Sequence, residues 1–158
     1  MTQAKTGAKV QHMKSIKWIT ISALLYSTSD AAQFEVRGYG PILNVETSIQ
    51  KGESVSRMTA TLLARAKESH LISNYFFNGL GVESITPLGQ APLGFFVEAQ
   101  NEKELRAYGW CYSVDGITPD LLADEYRLQG TEEKITWYFG FATRILGNWE
   151  TQCTPVSF

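Results

Sequence analysis

Only one stretch of this chain repeats its apolar residues at helical spacing. Over residues 54–69 (SVSRMTATLLARAKES), Val55, Met58, Leu62 and Ala66 fall on one stripe, with Leu63 beside them. Ser54 or Ser56 can accept the free N–H groups of a first turn, and Lys67 sits where a helix C-terminus favours a cation. A helix with a single apolar stripe covers one face of something else, and the sequence around it is of β type. QFEVRG and PILNVETSI flank the turn signal Tyr39-Gly40-Pro41, and in the second arm Leu43, Val45, Thr47 and Ile49 alternate with Ile42, Asn44, Glu46 and Ser48. After His70 come NYFFNG, VESITPL, GFFVEAQ, WCYSVDG, YRLQG and KITWYFGFATRIL, punctuated by Gly and Pro. Strands, one helix, then strands predict an α+β fold, a mostly antiparallel or mixed sheet with one main helix packed on one face.

The length of 158 residues suits one domain, and 44% hydrophobic with 19% charged residues rules out bulk disorder and coiled coil. A net charge of -2 advertises no nucleic-acid partner. The two Cys (Cys111, Cys153) and two His (His12, His70) are too few and too far apart for a zinc motif. No phosphate-binding glycine loop, dinucleotide fingerprint or nucleophile elbow occurs. Asp115, Asp120, Asp124 and Glu125 cluster loosely, but not at the alternating positions of a calcium loop. His70 with Cys111 is one unordered pair, and His70 just past a helix end suits the helix dipole. With no convergent acid, base and nucleophile, the expectation is a non-enzyme with no cofactor and no metal.

The N-terminus admits two readings. From Met13 the chain has a basic segment (Lys14, Lys17), a short apolar stretch (ITISALLY, 19–26) and small residues at Ser29 and Ala31, the layout of a cleaved export signal. The same Trp18, Ile19, Ile21, Leu24 and Tyr26 also suit a β-strand. Residues 1–31 hold four of the 14 basic and one of the 16 acidic residues, so without them the net charge moves from -2 to -5. The apolar stretch is too short for an ordinary membrane-spanning helix, which needs roughly 20 apolar residues, and no membrane span is expected in the mature chain.

Aromatic residues concentrate late. Residues 108–149 hold nine of the 19, and on a strand Trp110, Tyr112 and Val114 share one face while Cys111 and Ser113 share the other. Trp137 and Phe139 pair likewise against Tyr138 and Gly140. One helix about 22 Å long cannot cover all these rings, so an aromatic binding surface is expected, against the alternative of a small second core under residues 84–94.

The stretch AYGWCYSVDGITPDLLADEYRLQGTEEKITWYFG resembles the DUF4430 family, related to the C-terminal domain of transcobalamin and intrinsic factor. Gly109, Trp110, Tyr112, Val114 and Gly116 match its Gly-Trp-x-Tyr-x-Val-Asn-Gly strand and turn. Ala123 and Asp124, then Ile135, Trp137 and Tyr138, match the segments that follow. Gly52, Ser54, Val55 and Leu62 resemble its strand-to-helix junction. Asp115 stands where the family has Asn, and Thr131-Glu132-Glu133 replaces an Asp after Gly130. The resemblance implies a β-grasp-like domain over 32–140, preceded by a leader over 1–31 and followed by an extension, 141–158, packed on it. It also implies export to a secreted, periplasmic or cell-envelope location. Export makes a Cys111–Cys153 disulfide plausible, against one buried and one exposed thiol. The expected function is a binding module for a small soluble ligand, cobalamin-like or a glycan. Trp110, Tyr112, Trp137 and Tyr138 would supply the surface, and Asp115 or Asp124 would orient polar groups. The alternative is an envelope accessory or adhesion domain that binds a protein partner.

Overall fold

The structure is a computed structural model that describes residues 31–156. The expected leader, with its alternative strand, lies outside the described residues except for Ala31. The described chain forms β1 (Ala32–Arg37), β2 (Pro41–Thr47), α1 (Val55–Glu68), β3 (Ile72–Phe77), β4 (Val82–Pro87), β5 (Leu93–Gly94), β6 (Phe96–Ala99), β7 (Glu104–Val114), β8 (Lys134–Ile145) and β9 (Asn148–Pro155). It is a mixed α+β protein, mostly sheet, with a single helix.

The larger sheet runs β2-β1-β8-β7-β6, with β9 also on β8, and the smaller runs β3-β4-β5. β1 lies parallel to β8, and every other pairing is antiparallel. β8 is the shared strand. Its residues 134–138 pair with β1, its residues 140–145 with β9 on that same edge, and β7 takes the whole opposite edge.

Pleat and register explain which side chains form the core. Phe34 and Val36 sit opposite Ile135 and Trp137, which in turn sit opposite Val114 and Tyr112. All six are buried in one cluster with Val55, Met58, Leu62, Leu63 and Ala66 of α1. α1 forms where the periodicity predicts it, and Ser54 caps it by accepting the Arg57 N–H at 3.2 Å. One polar contact crosses this core: Trp137 Nε1–H donates to Thr59 Oγ1 at 2.8 Å, both fully enclosed.

Two segments differ from the sequence expectation. YRLQG (126–130), read as β type, makes only an isolated bridge between Arg127 and Ser54. Its backbone instead serves the helix start. Tyr126 and Ala123 carbonyls accept the Val55 and Ser56 N–H groups at 3.2 and 2.8 Å, and Leu128 exchanges bonds with Gly52 and Glu53. The Val55 and Ser56 N–H groups, which the helix leaves free at its start, thus take carbonyls that a strand would otherwise use. The second difference is the tail. β8 runs through Gly140 without a break and β9 follows it, so residues 141–155 belong to the same sheet.

Glu132 fixes the turn into β8. Its carboxylate accepts the N–H groups of Gln129, Gly130 and Thr131 at 2.5, 2.8 and 3.1 Å. Burial opposes its ionisation, but the backbone N–H donors of Gln129, Glu132, Gly130 and Thr131 outweigh burial and hold the carboxyl below its ordinary value of 4.5. A carboxylate whose pKa is lower folded than unfolded contributes stability that is full above the unfolded value and lost as pH falls through the folded one. Glu132→Gln is therefore expected to cost about 1–3 kcal/mol at neutral pH, the worth of charged hydrogen bonds. In urea titrations the gap to wild type should close towards pH 3. A gap that stays constant over that range contradicts this role.

Candidate functional site

A cleft of about 700 Å³ opens beside the stretch of β7 that β6 leaves unpaired. β6 covers only Leu105–Tyr108, so the edge at Trp110, Cys111 and Tyr112 faces the cleft. One wall is the β3–β4 turn, with Asn78, Leu80 and Gly81. The other is the irregular segment 118–125, and Gln152 with Cys153 of β9 close the end.

Each wall is placed by identifiable bonds. Asn78 Oδ1 accepts the Leu80 and Gly81 N–H groups at 2.9 and 3.0 Å and builds the β3–β4 turn, while Ser56 Oγ donates to the Gly79 carbonyl at 2.6 Å and ties that turn to α1. A side chain at Gly81 would stand 3.4 Å from the Trp137 ring, so the turn lies flat on the core tryptophan. Tyr112 Oη donates to the Leu121 carbonyl at 2.7 Å and anchors the opposite wall. Burial first, then Tyr126, Glu125 and Asp124, push the Tyr112 phenol up to about 12, so it stays protonated as that donor.

The cleft is apolar at its lips and acidic at its rim. Leu80, Leu121 and Leu122 are each about half exposed there, beside Asp120 and Glu125, and no Lys, Arg or His lines it. Side chains of this kind can bury an apolar or sugar-ring face and accept hydrogen bonds from hydroxyls.

The residues expected from sequence are divided. Trp110, Tyr112 and Trp137 all border the cleft, but Tyr112 is 7% and Trp137 2% exposed. They present edges rather than an open four-ring platform, because α1, the β3–β4 turn and segment 118–128 cover them. Trp110 is half-buried and is held by its Nε1–H donating to the Leu93 carbonyl at 3.0 Å. Its ring also meets the Phe139 ring edge-on, with centroids 5.4 Å apart. Tyr138 projects from the opposite face. Its hydroxyl bonds Thr118 Oγ1 at 2.8 Å and donates to the Cys153 carbonyl at 3.1 Å, so it reaches the end of the cleft from behind.

Asp115 does not line the cleft. It has φ 49°, and its carboxylate accepts the Glu133 and Lys134 N–H groups at 2.9 and 2.8 Å, a clasp between the ends of β7 and β8. Asp124 lies between two lining residues, with one oxygen buried and unbonded among the described residues. No three His, Cys, Asp or Glu side chains among the described residues converge as metal ligands. Sequence reasoning missed Leu80 and the 118–122 wall. The adjacent Leu121-Leu122 beside Asp120, in a stretch with no β or helical period, was the available signal.

Cys111 and Cys153 are joined by a disulfide, with Cα atoms 5.7 Å apart. The Cys111 sulfur is therefore not a free thiol beside His70. The bridge links β7 and β9, which lie on opposite edges of β8, so it crosses the back of that strand, while Thr154, Pro155 and Val156 stay paired with Phe141, Gly140 and Phe139 on the β9 side. It passes at Gly140, where an added Cβ would meet the Thr154 carbonyl oxygen at 2.9 Å. Gly109 is the cross-strand partner of Gly140, so the crossing point carries no side chain from either strand.

Comparison with protein-family models, with curated proteins and with solved structures found no match for this chain.

The bridge closes a loop of 42 positions, for which chain entropy gives about 3–4 kcal/mol. Cys153→Ser is expected to lower the denaturant midpoint accordingly, and dithiothreitol should do the same to wild type. An unchanged midpoint in both contradicts the bridge.

Proposed function

We propose that this protein is an exported, non-enzymatic binding module that holds a small soluble ligand in the cleft at the Trp110–Tyr112 edge. The observation that carries the reading is the combination at that edge: about 700 Å³ of space, apolar lips at Leu80, Leu121 and Leu122, and an acidic rim without cations. Drug-sized ligands occupy clefts of roughly 300–1,000 Å³. The rim accepts hydrogen bonds, which suits a hydroxyl-rich ligand, so a short glycan is favoured over a corrin, whose larger ring would have to stand out of the cleft. Trp110 is the side chain that stacks, and Asp120 and Glu125 orient the hydroxyls.

We further propose that the chain is a relative of the DUF4430 family. The order β2-β1-β8-β7 with β1 parallel to β8, and α1 against one face, supports a β-grasp-like arrangement. Export is supported by the disulfide, a bond that persists in oxidising compartments. No described helix is long and apolar enough to cross a membrane.

A protein partner is the second reading, and one observation favours it. β6 is an outer strand of the larger sheet, all four of its residues are exposed, and Phe95, Phe96 and Val97 stand there in a row. Such an edge can accept an added strand.

The test is tryptophan fluorescence of the full chain titrated with neutral oligosaccharides and with cyanocobalamin. The expected result is a saturable change with an oligosaccharide, weakened tenfold or more in Trp110→Ala. Equal affinity in wild type and Trp110→Ala, or no change with any probe, rejects the cleft as the site.

A further inference from the structure

Behind the cleft, on the sheet face away from α1, lies a second recess of about 490 Å³. We infer that this recess binds the carboxylate of a hydroxylated acid, such as a uronic acid. The inference goes beyond the cleft reading and stands on different side chains.

The recess is built on the outer face of β1, β8 and β7. Arg37 and Lys134 line it, one at each end of the β1–β8 parallel pairing, and Glu35 sits beneath them. Glu35 is 6% exposed and holds both cations, Arg37 through Nε at 2.6 Å and Lys134 through Nζ at 2.6 Å. That arrangement fixes the cations without consuming them. The Arg37 bond uses Nε alone, so the two terminal amino groups of the guanidinium have no partner among the described residues. Lys134 has three N–H donors, of which Glu35 engages one. The Arg37 side chain is 54% exposed and the Lys134 side chain 35%, so both side chains remain reachable from solvent.

Charge counting selects the ligand. Two cations and one buried carboxylate leave one positive charge in the recess, and no acid lines it. Asp115 lies nearby, but its carboxylate is turned to the Glu133 and Lys134 amides. A single negative charge balances the excess, whereas a dianionic phosphate would face Glu35 uncompensated. The planar fork of arginine matches a planar carboxylate.

The remaining lining selects what the carboxylate is attached to. Ser113, Thr136, Thr118 and Tyr138 bring hydroxyls, and those of Ser113 and Thr136 make no side-chain hydrogen bond among the described residues. Pro155 and Val156 form an apolar wall on one side. A cation pair, open hydroxyls and one apolar wall together describe a polyhydroxylated ring bearing one carboxylate. Thr118 and Cys153 border both recesses, so the cationic recess and the acidic cleft meet at the Tyr138 hydroxyl.

The test is a proton–nitrogen correlation spectrum of the isotopically labelled full chain, titrated with D-glucuronate, and in parallel with D-glucose and with sodium sulfate. The expected result is saturable shifts at the amides of Arg37, Ser113, Lys134 and Thr136 with glucuronate, and none there with glucose or at equal sulfate. Arg37→Gln should weaken glucuronate tenfold or more. Arg37→Lys keeps the charge beside Glu35 but loses the fork, and should show an intermediate loss, which separates recognition from a folding defect. Absence of shifts at these amides, equal shifts with sulfate, or unchanged affinity in Arg37→Gln overturns the inference. The cleft is read separately through Trp110, so failure of one site does not imply failure of the other.

Discussion

The architecture turns on how β8 shares one of its edges. β1 occupies that edge up to Tyr138, and β9 takes it from Gly140 onward. Two strands can meet on one edge only if the first leaves as the second arrives. Arg37 ends β1, and the bend at Gly38–Gly40 carries the chain away to β2. β9 then does more than fill the gap. The disulfide holds Cys153 over the back of β8 toward β7, and Cys153 takes a left-handed backbone (φ 55°) there before Thr154 and Pro155 resume pairing with β8. A side chain at Gly140 would collide with the Thr154 carbonyl next to the bridged Cys153, so the glycine and the bridge act as one device.

The placement of Cys153 shapes both recesses. Without the bridge to hold it toward β7, Cys153 would not close the end of the cleft, and its carbonyl would not receive the Tyr138 hydroxyl. Tyr138 then stands as a partition between two recesses of opposite character. One is acidic and apolar and lies at the free edge of β7. The other is cationic and hydroxyl-lined on the back of the sheet. The two recesses share a border at Thr118 and Cys153, and the proposed ligand, a glycan bearing acidic sugars, would offer both chemistries.

The parts of this fold that repeat were legible in the sequence. α1, the β1–β2 hairpin and β8 follow from period and turn residues, and the face shared by Trp110, Tyr112 and Val114 follows from the pleat. What was not legible lacks a period. NWETQCTP (148–155) has no alternation of apolar and polar residues, because β9 is mostly exposed and gains its place from backbone pairing and the bridge. YRLQG has β composition, yet its carbonyls are taken by the start of α1. The aromatic platform was overcounted for a related reason. The covering of Tyr112 and Trp137 comes partly from Gly81, Leu121 and Leu128, residues in turns and loops whose positions no pattern announces. The cationic recess was invisible for another reason, since Arg37 and Lys134 lie far apart in sequence and meet only through the parallel pairing of β1 with β8.

The bridge that joins β9 to β7 across the back of β8 is the claim on which both recesses depend. Peptide mapping of the non-reduced protein from its own host tests it most directly. The account predicts a linked pair of peptides containing Cys111 and Cys153, which separates only after reduction and is two hydrogens lighter than the free thiols. Recovery of both cysteines as free thiols, or of either one bonded elsewhere, would contradict it.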